Sequence, residues 1–310
     1  MTILNRQSDG LPSILLTLTR LVAREKEITR DSLLALCSPP GDTSKDKDGE
    51  SSASGRLRGT LSRWTSLGLF SNEDGKIKLN FQLRPAELAD ENVKGLTEIC
   101  RRLLFESQQA LPLWPKDGSL SEENAGLAAD LCRGLAWCLA QDIYALPSSF
   151  VGVEALVQLQ VQDGRFIFLN DTRWPGLLTW ARYLGFATGE DSRLLFDPTI
   201  AVRGHIDEVI NAKESLPASE FIGRLAVRLP VLDSGTYRMQ VESSLKLETW
   251  HPPATDHLSM SLSLALRRLQ KQGLLSFETK ADAGSRLTFT GQYGRSWGDF
   301  THVRLLEGTK

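Results

Sequence analysis

The groups best suited to chemistry in this sequence are eight basic residues in two clusters, and the chemistry they suit is phosphate binding. Arg56, Arg58 and Arg63 share one apolar-striped stretch with Thr60 and Ser62, and Lys76 and Lys78 follow shortly after. Arg267, Arg268 and Lys271 form the second cluster, with Lys246, Lys280 and Arg286 in the same region. Guanidinium and ammonium groups on a helix and an adjoining hairpin bind backbone phosphates, and Arg pairs bidentately with guanine. The partner this predicts is double-stranded DNA. Glu73 and Asp74, beside the two lysines, oppose a polyanion, so a solvated face that docks on protein stays open as the alternative.

A third stretch carries Trp174, Trp180 and Tyr183 and is more aromatic than basic. It is expected to contact protein, because aromatic residues dominate both cores and interfaces.

Catalytic patterns do not emerge. His205, His251, His257 and His302 are scattered, with no H-E-x-x-H spacing. The sequence contains no phosphate-binding G-x-x-x-x-G-K-[ST] or G-x-G-x-x-G loop and no G-x-S-x-G elbow. Cys37, Cys100, Cys132 and Cys138 include no C-x-x-C pair, which argues against both a zinc knuckle and a disulfide framework and for small buried hydrophobes. Neither enzyme, metal nor cofactor is expected.

The elements that must position these groups recur three times. Arg56 to Leu79, Arg173 to Phe196 and His257 to Thr290 each read as a helix that runs into a Gly (Gly68, Gly185, Gly273), followed by two short apolar strands around a polar turn. In the first copy Leu57, Leu61, Trp64 and Leu67 fall on one helical face. Gly tolerates the left-handed backbone that closes a helix. The Asp74-Gly75 tip then supplies the positive φ angles of a hairpin. The copies are irregularly spaced, unlike a solenoid with its fixed repeat of roughly 20 to 50 residues.

The predicted fold is mainly α with small β-hairpins (α+β), arranged as tandem winged-helix domains joined by helical connectors. Residues 1-82 make an N-terminal winged helix in the order helix, strand, helix, helix, hairpin, with Thr29 capping the second helix. A disordered insertion at 38-55, without Leu, Ile, Val or Phe, interrupts it. Residues 83-215 make a helical connector plus a middle winged-helix-like domain. Residues 216-310 make a C-terminal winged helix, with the aromatic tail from Tyr293 to Leu306 folding back as strand or helix.

Among 310 residues the net charge is only -2, so any DNA binding must come from local patches and not from a uniformly basic surface. Apolar runs of membrane-spanning length and a signal-peptide pattern are absent, so a cytoplasmic location is expected.

Asp197-Pro198-Thr199 followed by Ala201 and Arg203, within the triple layout, resembles the tandem winged-helix accessory proteins of bacterial phage-defence and DNA-modification gene clusters, of the DpdG type. The resemblance implies a noncatalytic partner of an ATPase or helicase acting on DNA. Read on its own chemistry, Asp197-Pro198-Thr199 is a cap and turn ahead of a helix. The function expected is a noncatalytic DNA-binding adaptor within a bacterial anti-phage or DNA-processing complex. The alternatives are a pure protein scaffold similar to the winged-helix subunits of SMC or kleisin complexes, or a dimeric transcription regulator. A homo-oligomer is compatible with any of these.

Overall fold

A computed structural model describes residues 2–5, 11–38, 53–83, 94–116, 123–190, 193–212, 214–281 and 286–306. Among them the chain forms twelve α-helices and three small antiparallel sheets of two or three strands.

The first unit comprises α1 (Pro12–Glu25), β1 (Ile28–Thr29), α2 (Arg30–Cys37), α3 (Ala53–Ser66), β2 (Phe70–Glu73) and β3 (Lys76–Leu79). Helix α1 begins with Pro at its first position, where a missing N–H costs nothing, and buries Leu15, Leu18 and Val22. Thr29 caps α2, its hydroxyl accepting from Ser32 N at 3.3 Å. The sheet order is β1-β3-β2, with Ile28 opposite Ile77 and Phe70 opposite Leu79. Gly68, at φ +90, turns the chain from α3 into β2, and Leu69 N reaches back to Trp64 O at 2.8 Å. The expected insertion lies largely outside the described residues, but α3 starts at Ala53, so 53–55 are helical rather than part of it.

The middle region holds α4 (Lys94–Phe105), α5 (Ser107–Ala110), α6 (Ala129–Ala140), α7 (Phe150–Gln160), α8 (Arg173–Tyr183) and α9 (Thr199–Val209). Eleven of the twelve residues of α6 are buried, including Asp130 and Arg133. A helix apolar on all sides belongs in a core, and α6 supplies it, packed by α8 and by two helices of the last unit. Its charges are compensated. Asp130 accepts from Leu4 N at 2.8 Å, while Arg133 donates to Leu113 O and lies over the Phe166 ring at 4.6 Å.

Among the described residues the hairpin expected after Gly185 is reduced to one antiparallel bridge, Thr188 to Leu195. The second strand is diverted because Phe196 turns into the core against Trp174, at 6.3 Å between ring centroids.

The last unit comprises β4 (Ser215–Pro217), α10 (Ala218–Arg228), α11 (Thr236–Glu242), α12 (Met260–Lys271), β5 (Leu275–Glu278), β6 (Leu287–Thr290), β7 (Ser296–Phe300) and β8 (His302–Leu305). The sequence implies that β5 and β6 pair as one hairpin, and the structure corrects this. Strand β8 sits between β4 and β5, while β6 pairs with β7. Phe277, Phe289 and Phe300 bring the two sheets together, with centroids 4.5 to 5.1 Å apart. Burying those rings outweighs the local advantage of a simple hairpin. The tail is therefore strand from Ser296 onward, after a short 3-10 turn at Gln292–Gly294.

The three copies are not separated modules. Trp64 of α3 lies 5.5 Å from Trp180 of α8, Tyr237 Oη donates to Phe105 O at 2.7 Å, and Ser261 Oγ donates to Leu139 O at 2.7 Å. One apolar core runs from Ile3 to Val303. No described helix is long and apolar enough to cross a membrane.

Candidate functional site

Helix α3 positions the first basic cluster unevenly. Its apolar stripe, Leu57, Leu61 and Trp64, is buried, so Arg58, Ser62 and Ser66 face solvent, with Arg56 half-exposed. Arg63 departs from the expected phosphate-facing role, since its guanidinium donates to the Thr2 carbonyl and ties the N-terminal segment to α3.

The hairpin lysines are also engaged. Lys76 pairs with Glu27, and Lys78 lies 3.1 Å from Glu73 and 3.5 Å from Glu27. The hydrogen bond from Lys76 holds the Glu27 carboxyl below its ordinary value, and the one to Glu73 raises Lys78. Exposed pairs of this kind are screened by water and add little, so an incoming phosphate exchanges for a carboxylate at little cost.

On α12, Leu262, Leu266 and Leu269 are buried and Arg267 and Lys271 are exposed. Arg267 lies 5.5 Å from the Phe289 ring centroid and donates to Gln270 at 2.7 Å. Arg268 is an internal latch rather than a free cation. It pairs with the buried Asp197, whose other oxygen accepts from Thr199 N at 3.0 Å at the start of α9. The Asp197-Pro198-Thr199 turn is thus both a helix start and a bolt between the middle and last units.

The aromatic trio on α8 does not face a partner. Trp174 and Trp180 are buried and Tyr183 is half-buried. Trp174 packs on Phe168 at 5.7 Å and donates to Ser148 O at 3.1 Å, while Tyr183 packs edge-on against Trp180 at 5.6 Å. These rings pack inside the chain, Trp180 alone reaching another unit through Trp64, so their assignment to an external interface is corrected.

Two features escaped the sequence reading. The helices α3, α8 and α12, cognate in the three copies, contain no Asp or Glu; among the described helices only the four-residue α5 shares this. A tally of carboxylates by helix finds it directly. The second feature is α7, FVGVEALVQLQ, which buries only Val153 and Gln160. Its apolarity is legible in the sequence but its exposure is not.

Beside α7 lies a cleft of about 610 Å³, walled by Leu146, Leu156, Trp250 and Met260, with Asp142, His251 and His257 around it. His257 Nδ1 is 2.8 Å from Asp256, which holds that carboxyl below its usual range. His205 is buried, and burial and then Arg101 depress its pKa. Burial drives the Cys100, Cys132 and Cys138 thiols well above their ordinary value, so none is a ready nucleophile at neutral pH. Among the described residues no group of three His, Cys, Asp or Glu is placed to hold a metal ion.

A family model described as DpdG-like matches residues 1–283, ending ahead of β6. No curated protein and no solved structure matches the chain.

Proposed function

The chain belongs to the DpdG-like family, and we propose that it is a noncatalytic winged-helix adaptor that binds duplex DNA and a protein partner in a DNA-modification or phage-defence assembly. The observation that carries the DNA half is the acid-free, small-residue face of α3, where Arg58 is flanked by Gly55, Gly59, Ser62 and Ser66. Short side chains let the helix backbone approach a phosphate backbone closely, and no carboxylate on the helix repels it.

The winged-helix reading of residues 1-82 rests on element order and on β1 joining β3. The last unit, 216-310, is read as a modified winged helix in which β8 replaces the second wing strand and β6–β7 is an addition. The middle, 83-215, is read as a relative that has lost its wing. Arg56, Arg58, Arg267 and Lys271 are assigned to phosphates, with Lys76 and Lys78 recruited by exchange from Glu27 and Glu73. An ATPase or helicase acting on the same DNA is the class of protein partner the family resemblance implies.

The test is fluorescence anisotropy of a labelled duplex titrated with the full chain at two salt concentrations. Affinity that falls steeply with salt is expected, with log K dropping by roughly 0.9 per phosphate contact for each tenfold rise in salt. Absence of binding at low salt overturns the DNA half. A pure scaffold is then favoured by the wing lysines already being paired with carboxylates.

A further inference from the structure

We propose that α7 and the cleft beside it form the docking surface for a basic amphipathic helix of a partner protein. This deepens the adaptor reading above and rests on it.

Helix α7 is apolar over most of its circumference, interrupted by exposed Glu154, its one charge, and Gln158 one turn on. A helix of that composition normally lies in a core. Here Val151 is 77% and Leu159 55% exposed, and Leu247, on the segment hydrogen-bonded to the end of α7, is 63% exposed. Large apolar side chains left exposed on one helix and on the segment bonded to its end mark an interaction site.

The adjoining cleft of about 610 Å³ has room for a bulky side chain and is already built. Gln160 donates to Gln141 at 2.9 Å and accepts from Trp137 Nε1 at 3.1 Å, while Trp250 Nε1 donates to Ala140 O at 3.4 Å. Because internal bonds hold these walls, an anchor entering the cleft meets little ordering cost. A ridge of helix with a pocket alongside suits a second helix laid across it, anchored by a large apolar residue.

Charge selects the occupant. Asp142 borders the large cleft, Glu154 and Asp163 border a smaller one of about 280 Å³ on α7, and Glu248 follows Leu247. Against these four carboxylates, and Asp256 beside His257, stand Lys246, 3.7 Å from Asp163, Arg165, lying over the Trp114 ring at 5.0 Å, and Arg295, next to Gly294 of the large cleft's lining, with the imidazoles of His251 and His257 on that lining. A second copy of this face would set like charge against like, and DNA would be repelled. A cationic helix complements it.

The experiment uses the full chain and two labelled helical peptides of about 18 residues, five turns. They share one Leu- and Phe-bearing apolar face, and their polar positions are Lys in one peptide and Glu in the other. The Lys peptide is expected to bind at least roughly tenfold tighter than the Glu peptide. Val151→Ser with Leu159→Ser and Leu247→Ser is expected to weaken it at least roughly tenfold with the far-UV circular dichroism melt unchanged, and Glu154→Lys with Asp163→Lys to abolish the preference between peptides.

Binding of neither peptide, equal binding of both, or a triple-serine variant that binds like wild type overturns the proposal. So does a dimer in sedimentation equilibrium that the serine changes dissolve, which would assign the face to a second copy. Duplex DNA titrated against the triple-serine variant is expected to bind as wild type. If the peptides fail while DNA binding persists, only this inference falls, and the DNA half of the proposed function stands.

Discussion

Helices α3 and α7 both turn a face to solvent, and their chemistries are opposite. Helix α3 has no carboxylate and exposes Arg58 among Gly and Ser; α7 has no cation and exposes Val151 and Leu159. Each helix is anchored by a few buried side chains, Leu57, Leu61 and Trp64 in one and Val153 and Gln160 in the other. The difference lies in what is left uncovered. A polar small-residue face suits a hydrated polyanion, whereas an apolar face with acidic neighbours is costly to leave in water and suits another protein. Under the proposed function, two ligand classes would have separate surfaces on one body.

That body is the first thing to break. Trp180, 1% exposed, contacts Trp64 beneath α3. Trp180→Ala is expected to destabilise the chain by about 3–5 kcal/mol in urea unfolding and to weaken both surfaces together. A variant that keeps wild-type stability would show that the units are held independently.

Within α7 the contrast sharpens between neighbours. Val153→Asp places an unpaired carboxylate in the core and is expected to cost more than about 3 kcal/mol, whereas Val151→Asp, two residues away on the exposed face, stays within about 0.5 kcal/mol. Equal melting temperatures for the two variants would contradict the orientation of the helix.

On the DNA side, Arg58→Glu with Lys271→Glu is expected to weaken duplex binding and to lower the salt slope by roughly 2, about 0.9 for each lost phosphate contact. The serine changes on α7 should leave both quantities alone. An unchanged slope in the charge-reversed protein removes these residues from the interface.

The smallest effect concerns neither surface. His205 is held below its ordinary pKa by burial and by Arg101, with Glu208, 3.7 Å away, opposing. The unfolded chain therefore takes up this proton first. Stability is complete above about pH 6.5 and falls as pH drops toward the folded value, by at most about 1.4 kcal/mol per pH unit. His205→Gln should flatten that part of the stability–pH profile measured by urea unfolding, and an unaltered profile would assign it to other groups.

Much of the fold was legible because local rules governed it. The stripe of Leu57, Leu61 and Trp64, the Gly68 stop, the Thr29 cap and the Asp74-Gly75 tip depend on residues within a few positions of one another. The candidate site was less legible because exposure and pairing depend on distant residues. Trp174 and Trp180 have the composition of an interface, yet Phe168, Phe196 and Trp64 cover them. Arg268 has the composition of a phosphate contact, but Asp197, 71 positions earlier, claims it.

The sequence by itself determined the apolar stripes of the helices, caps and stops such as Thr29 and Gly68, which helices lack carboxylates, and that three stretches share one pattern, since periodicity, capping and charge content are local properties. Only the tertiary structure decided that β8 would separate β5 from β6, that α8 would be buried and that α7 would be left open. Those outcomes turn on which apolar faces find partners far along the chain. A residue's type sets its preference for burial, and competition among all the faces for one core decides which preferences are met.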